Sequence, residues 1–443
     1  MNNTDTIAAI ATAPGVGGVG ILRISGHESL HICQTLSKLT PKARHAHFCQ
    51  FKDQDLLIDE GIVLYFPNPK SFTGEDVIEF QVHGGPVILN LLLKAVIKNG
   101  ARQALPGEFS HRAFLNNKID LVQAEAIADL ISSTTEQAAL AAQRSLQGEF
   151  SKKIATILKQ LIALRVWIEA AIDFPEEEID FLADKKQQAK LQDLHSRLKN
   201  LLAKAQQGEL LNKGVTIGIV GQPNVGKSSL LNLFTKNETA IVSDIAGTTR
   251  DIVKENINIK GIPVTIIDTA GIHITKDKIE QEGIKRAKNI VQQADIIVHV
   301  IDSTKNNFQQ LQSLSKLPFT RKKVVVYNKI DLVNSDRKLK DNEIQLSAKT
   351  GKGFEQLEKK IITLLNHGQE METSFSARSR HLLQLQKTLE SVKIAEDNFL
   401  NHHAGELVAE DLRQAQEYLS QITGEFSSDD LLGEIFSSFC IGK

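Results

Sequence analysis

The feature that most constrains this chain is the run Val215-Thr-Ile-Gly-Ile-Val220 followed by Gly221-Gln-Pro-Asn-Val-Gly-Lys-Ser-Ser229. Six mostly β-branched residues predict a buried parallel strand, and Gly-x4-Gly-Lys-Ser predicts a phosphate-binding loop that opens a helix. Gly221 and Gly226 let the backbone curl so that its N–H groups point inward at phosphate oxygens. A helix starting near Lys227 turns the positive end of its dipole toward the same anion. Lys227 is then placed to reach the β- and γ-phosphates, and Ser228 to hold Mg2+. A chain committed to this loop is committed to an alternating α/β unit around it.

Other function classes are narrowed by composition. At 443 residues the chain has room for about three domains, and 41% hydrophobic content suffices for packed cores. A net charge of −1 gives no global attraction to nucleic acid, so any RNA contact must come from a local basic surface. Cys33, Cys49 and Cys440 lack metal-ligand spacing and predict no disulfide framework, which favours a reducing, cytoplasmic compartment. No stretch reaches the roughly 18 apolar residues of a membrane span, and none resembles a signal peptide. A content of 5% aromatic residues argues against a stacking-based single-strand binder.

Along the chain, residues 1–118 mix short strands, glycine turns and one clear helix, an α+β texture. The segment 15–20 matches Gly-x-Gly-x-x-Gly, but a dinucleotide site needs a helix after the last glycine. Ile21-Leu-Arg-Ile24 alternates like a strand instead, so a hairpin with Arg23 projecting from it is expected. A strand over 76–82 leads through His83-Gly-Gly-Pro86 into a helix over 87–98, with Gly100 just past its end. From 119 to 211 glycine becomes rare and apolar residues recur near a 3.6 period, as in a helical bundle. The acidic run around Pro175 interrupts it. Residues 212–367 alternate strand and helix, and 368–443 return to helix, from about 378 to 439. The α/β unit is therefore expected to be inserted into one discontinuous helical domain, with 367–376 as a candidate hinge.

Four further motifs follow the loop in order. Gly247-Thr-Thr-Arg-Asp251 lies in a polar segment, where Thr249 would complete a Mg2+ shell. A strand over 264–267 ends in Asp268-Thr269-Ala270-Gly271; Asp268 would bind Mg2+ through water and the Gly271 N–H would sense the γ-phosphate. A strand over 324–327 ends in Asn328-Lys329-Ile-Asp331, whose Asp331 carboxylate can accept two N–H bonds from guanine and none such from adenine. Ser347-Ala348-Lys349 follows a short strand over 344–346 and can offer a backbone N–H to guanine O6. Each motif sits where a strand ends, which is where open α/β sheets bind ligands.

Two positions depart from Ras-like chemistry. The water-orienting glutamine after the Asp-x-x-Gly glycine is here Ile272, which cannot hydrogen-bond water. Glu280, early in a helix expected over 278–292, is within reach of that role, or is an exposed helix carboxylate. Asn224 inside the loop can coordinate a monovalent cation beside the phosphates, supplying charge an arginine finger gives elsewhere, or can simply stabilise the loop.

With these motifs on the page, the chain resembles the MnmE (TrmE) family of tRNA modification GTPases. The marks are Gly18-Val-Gly-Ile-Leu-Arg-Ile-Ser-Gly26, His83-Gly-Gly-Pro86, Pro106-Gly-Glu-Phe109, Arg112-Ala-Phe-Leu115, Gly247-Thr-Thr-Arg-Asp251 and the terminal Cys440-Ile-Gly-Lys443. The resemblance implies an N-terminal dimerisation domain (1–118) that binds 5-formyl- or 5,10-methylene-tetrahydrofolate through Arg23, Glu79 and Lys118, with Lys443 approaching. On residues alone, Arg23 and Lys118 are equally surface cations. It implies a helical domain in two parts (119–211 and 368–443) flanking a Ras-like G domain (212–367). The GTP shell would be Asn224, Val225, Gly226, Lys227, Ser228, Ser229, Ser243, Thr248, Thr249, Asp268, Thr269, Ala270, Gly271, Asn328, Lys329, Asp331, Ser347, Ala348 and Lys349. Ser228 and Thr249 would hold Mg2+, while Asn224, Ser243, Ile245 and Thr248 would hold K+. Glu280 would position the attacking water when two G domains meet.

The same resemblance implies an FAD-bearing partner, MnmG, in a heterotetramer, and a tRNA substrate modified at C5 of its wobble uridine. Cys440 matches a cysteine the family needs for modification; taken alone, a single C-terminal Cys is more often inert. His273 stands where the family commonly has Arg. The alternative class is an Era- or Der-type switch GTPase of ribosome assembly, which shares the G motifs but appends an RNA-binding domain instead.

Overall fold

The computed structural model describes residues 5–173, 185–237, 253–268, 294–305, 322–333, 338–365, 375–402, 404–425, 429–437 and 439–442. Those residues form two compact units, one from 1–128, 146–190 and 391–443, the other from 129–145 and 191–390.

In the first unit, strands β1 (Ile7–Ile10), β2 (Gly17–Ser25), β3 (His47–Asp53), β4 (Leu56–Phe66), β5 (Val77–Gly84) and β6 (Arg102–Gln103) make one six-stranded sheet in the order β3-β4-β5-β2-β1-β6. Every pairing is antiparallel except β1 with β6. The segment matching the dinucleotide fingerprint runs straight into β2, so the expected hairpin forms and no helix follows Gly20. Strand β5 continues two residues past the expected 82. Gly84 permits this, because a Cβ there would come 2.6 Å from the Gly17 carbonyl. Alternation along β2 and β5 sends Leu22, Ile24, Ile78 and Phe80 into a core shared with helices α1 (Ser29–Ser37) and α2 (Pro86–Lys98). Arg23 and Glu79 are thereby left on the opposite face, where Phe109 of α3 (Glu108–Leu115) joins Ile7 and Ala9.

Helix α4 (Leu121–Ser132), α5 (Glu136–Leu146), α6 (Glu149–Asp173) and α7 (Lys185–Lys213) follow, matching the glycine-poor stretch. In the second unit, β7 (Val215–Val220), β8 (Val253–Ile259), β9 (Ile262–Asp268), β10 (Ile296–Asp302), β11 (Lys322–Asn328) and β12 (Glu343–Gln345) form a sheet in the order β12-β11-β10-β7-β9-β8. It is parallel apart from the β8–β9 hairpin. Helices α8 (Lys227–Asn237) and α9 (Phe354–Leu365) cover one face, with Leu230, Phe234, Leu357 and Ile361 packed on Ile217, Val298, Val300 and Val324.

The last stretch is helical as expected; among the described residues it holds α10 (Ser379–Asp397), α11 (Gly405–Thr423) and α12 (Asp429–Ser437). A π-helical turn (Asn398–His402) closes α10, and Gly424 at φ +93° ends α11 in the left-handed conformation that favours glycine. Helix α11 packs along α6, and Ser376 bonds Ser145, so chain from both sides of the α/β unit meets in each compact unit. The helical domain is discontinuous, with the P-loop unit inserted into it. Among the described residues no helix is long and apolar enough to cross a membrane. The candidate hinge at 367–376 and the acidic run after Asp173 fall almost wholly outside the described residues.

Candidate functional site

The nucleotide site is assembled at the C-terminal ends of β7, β10 and β11. Past β7, Gly221 crosses so near β10 that a Cβ on it would meet the Val300 carbonyl at 2.5 Å. Asn224 takes φ +63° and Gly226 φ +98°, curling the loop before α8 begins at Lys227. Lys227 is buried, and its Nζ donates to the carbonyls of Gly221 (3.1 Å) and Gln222 (3.0 Å). An ammonium folded into its own loop in this way holds the ring of backbone ready for an anion, which it meets together with the helix N-terminus. Ser228 and Ser229 are exposed in the first turn of α8, where a hydroxyl can reach a Mg2+ ion.

The loop is closed from behind by Asn328. Its Nδ2 donates to the Val225 carbonyl at 2.8 Å, and its Oδ1 accepts the N–H of Lys329 (2.8 Å) and of Ala348 (2.9 Å). One buried side chain thus ties the Gly-rich loop to the segments that follow β11 and β12. Gly226 makes room for it, since a Cβ there would lie 2.2 Å from Nδ2. Lys329, at φ +67°, sends Nζ to the Asn224 carbonyl (2.8 Å) and to Asp302 Oδ2 (2.6 Å). Burial would raise the Asp302 carboxyl, but the Lys329 ammonium and the Thr304 hydroxyl and N–H outweigh it and hold it low. Asp331 is exposed, and Ser347 Oγ donates to its Oδ1 at 2.6 Å, which fixes the orientation of the carboxylate. Ser347 is buried, Ala348 half-buried and Lys349 exposed.

Thus Asn224, Val225, Gly226, Lys227, Asn328, Lys329, Asp331, Ser347 and Ala348 come together around one loop. Asp268 ends β9 beside Ile219 of β7. Ser243, Ile245, Thr248, Thr249, Thr269, Ala270, Gly271, Glu280 and Lys443 lie outside the described residues, as do Ile272 and His273. Asp302 was missed by the sequence reading, although it too is a polar residue at the end of an apolar strand. The geometry accommodates a guanine nucleotide and Mg2+: a Gly-made cradle, a buried ammonium, a helix N-terminus and an oriented carboxylate.

A second polar cluster lies on the N-terminal sheet. Arg23 and Glu79 are cross-strand partners, with Nε and one Nη of Arg23 at 2.9 and 2.8 Å from Glu79 Oε1. The guanidinium lies over the rings of Phe72 (6.0 Å) and Phe109 (5.8 Å), neither of which the sequence alone pointed to. Lys118 Nζ donates to the Pro69 carbonyl at 2.9 Å, meeting the connection between β4 and β5 that carries Phe72. Beside this cluster, Arg112 joins Asp5, Glu75 and Glu108, and Arg102 bridges Asp5 and Glu108. Arg102 is the first cause holding Asp5 below the ordinary carboxylate range; Glu108 is low despite its burial, through Arg102, the Leu105 N–H and Arg112. Cys440 is exposed, and its carbonyl accepts the Gly107 N–H at 3.3 Å. Cys33 and Cys49 are different: burial pushes both thiols up to about 11.

Comparison with known proteins agrees along the whole chain. The TrmE N-terminus family model matches residues 6–118, and the MnmE helical domain model matches 121–440. The tRNA modification GTPase MnmE of Coxiella burnetii (strain RSA 493) is 51% identical over 99% of both chains. That of Hydrogenovibrio crunogenus is 51% identical over 100% of both, and that of Vibrio cholerae 49% identical over 99% of this chain and 100% of its own. With a family model spanning most of its length and relatives about half identical from end to end, this chain belongs to the MnmE family of tRNA modification GTPases.

Proposed function

We propose that this chain is the GTP-hydrolysing subunit of a complex that adds an aminomethyl or carboxymethylaminomethyl group to C5 of the wobble uridine in certain tRNAs. The observation that carries the reading is the pairing, in one chain, of a guanine-reading P-loop with the Arg23–Glu79 cluster on the N-terminal sheet. Relatives sharing about half the sequence carry a name that joins GTP hydrolysis to tRNA modification. The proposed division is an N-terminal domain over 1–118, a helical domain over 119–211 and 368–443, and a G domain over 212–367.

In the nucleotide site, Lys227 turns from its own loop carbonyls to the β- and γ-phosphate oxygens, and the N–H groups before α8 hold the same charge. Asp331, steadied by Ser347, selects guanine, because adenine would leave the carboxylate unpaired. Ser228, Thr249 and Asp268 are the residues that would hold Mg2+, which would supply positive charge to the transferred phosphoryl group. Asn224, Ser243, Ile245 and Thr248 hold K+ when two G domains meet, and Glu280 orients the attacking water in place of the glutamine that Ile272 replaces.

On the N-terminal sheet, Glu79 accepts N–H groups of a tetrahydrofolate pterin while Arg23 and Lys118 favour its anionic tail, with Lys443 nearby. The exposed apolar residues Val16, Val19 and Val87, gathered where Gly17 pairs with Gly84, support a homodimer through this domain. A FAD-bearing MnmG partner completes a heterotetramer in the cytoplasm, and Cys440 serves the modification step.

The test is GTP turnover by the full chain in KCl and NaCl at equal ionic strength, with association of G domains followed in the presence of a transition-state analogue. Faster turnover specific to K+, accompanied by association, is the expected outcome. Equal rates in both salts without association would remove the K+ mechanism and reopen the ribosome-assembly alternative.

A further inference from the structure

The turn of the β8–β9 hairpin is fastened to the start of α5. Thr135 Oγ donates to the Gly261 carbonyl at 2.8 Å and accepts the Ala138 N–H at 3.2 Å, so one buried hydroxyl caps the helix and binds the turn. Gly261 takes φ +90°, and a Cβ on it would come within 2.4 Å of the Gln137 side chain, which fills the space beneath the turn. The Gly261 N–H donates to Asn258 Oδ1 at 2.7 Å, holding the turn from its other side. Ala138 and Ala141 of α5 share an apolar cluster with Ile257, Ile259, Ile262 and Val264 of the hairpin. The turn is seated, and cannot leave Thr135 without orphaning a buried carbonyl.

The two ends of this arrangement reach different places. Toward the nucleotide, β9 ends in Asp268, which pairs with Val253 across the hairpin and with Ile219 two residues before Gly221. The strands between are seven residues long, about 20 Å of paired ribbon with one apolar face. Away from the nucleotide, Ser145 at the far end of α5 accepts the Ser376 N–H (2.9 Å) and donates to its carbonyl (3.1 Å), and Asp129 of α4 holds Arg378 (Nε 3.0 Å) just before α10.

We propose that Thr135 and Gln137 turn the β8–β9 hairpin into a lever: a shift at Asp268 accompanying a change of nucleotide is delivered to α5, and from there to the 376–378 segment ahead of α10. A free hairpin turn would absorb the same shift. The proposal rests on the reading that GTP turnover drives tRNA modification, and it adds the route by which the drive leaves the G domain.

The experiment is backbone hydrogen exchange on the full chain with GDP and with a non-hydrolysable GTP analogue, read separately over 253–268 and 136–146. In the wild type both segments change between nucleotides. Thr135→Val should keep the change over 253–268 and cut that over α5 about tenfold, the scale of an ordinary coupling free energy. Thr135→Ser, which keeps the hydroxyl, should restore it. Gln137→Ala, which leaves the Thr135 bonds in place, should give a smaller loss in the same direction, and GTP turnover of all three should stay within about twofold of wild type. An undiminished α5 response in Thr135→Val, or a wild-type α5 indifferent to nucleotide, overturns the lever. A wild type that couples in this way yet modifies no tRNA overturns the functional reading and leaves the lever standing.

Discussion

In the P-loop sheet the strands run parallel apart from the β8–β9 hairpin, and the residues of the site stand at or just past strand ends: Gly221 after β7, Asp268 ending β9, Asp302 ending β10 and Asn328 ending β11. In the N-terminal sheet the strands are mostly antiparallel, and the polar pair Arg23–Glu79 sits in mid-strand, on the face that α1 and α2 leave uncovered. A parallel sheet buried on both faces can offer side chains to a ligand only at its edge of strand ends. An antiparallel sheet with one covered face offers the other face itself. The first design leaves its signature in short contiguous motifs; the second spreads it over residues 56 positions apart that only the fold brings into register.

The two regions also hold their charges differently, and the largest expected effect tests that. Arg112 is buried against Asp5, Glu75 and Glu108, so Arg112→Ala strips a partner from the buried Glu108 and from the partly exposed Glu75 and Asp5. A loss of about 3 kcal/mol in the unfolding free energy is expected in denaturant titrations, with Arg102 still holding Glu108. No loss would mean that these ions are solvated, and the contrast with the P-loop unit would fall. The next effect belongs to the strand-end design. Asp331→Asn should lower GTP turnover roughly 100-fold and gain xanthosine triphosphate, whose ring offers an acceptor where guanine offers a donor. Unchanged base preference would place guanine selection elsewhere.

The smallest effect separates the two units by pH. His299 of β10 is buried, and burial followed by the Lys323 charge pushes it down to about 3 from an ordinary 6.5. The unfolded chain binds this proton first, so stability supplied by neutral His299 is present above pH 6.5 and drains as pH falls toward 3. Over the first pH unit below 6.5 the loss is at most roughly 1.4 kcal/mol. Asp5 and Glu108 are lowered carboxylates, so the first unit keeps their contribution until pH drops below about 4, the ordinary carboxylate range, and loses it through their folded values. Melting followed separately in the two units should show the P-loop unit weakening first on acidification, and His299→Phe should erase that lead.

The P-loop unit was the more legible from sequence. Lys227, Asn328, Asp331 and Ser347 stood in motifs whose spacing already implied the strand, turn and helix around them. Asp302 escaped because its partner Lys329 comes from the next strand, and no local spacing announces that pair. In the N-terminal unit alternation foretold the projecting Arg23, and resemblance put Glu79 in the same site, but their direct pairing was not foreseen. That Phe72 and Phe109 lie against the Arg23 guanidinium could not be read from sequence, because a ring beneath a guanidinium is a product of folding, not of spacing. Helix over 378–439 was expected, but not where it breaks: Gly424 ends one helix in the left-handed conformation, and a Cβ there would come 2.8 Å from the Phe114 ring, a constraint set by packing rather than by local spacing.

The central claim is that these two dissimilar sites serve one reaction, and its most direct test is to count C5-modified wobble uridine in a reconstituted mixture of this chain, an FAD-bearing MnmG partner, tRNA, GTP, KCl and methylene-tetrahydrofolate, alongside GTP turnover. Lys227→Ala should lose both readouts by roughly 10²–10³-fold, the scale of removing one charge-stabilising donor. Arg23→Ala should lose the modification while continuing to hydrolyse GTP. Modified uridine formed at the wild-type rate by either variant would contradict the account.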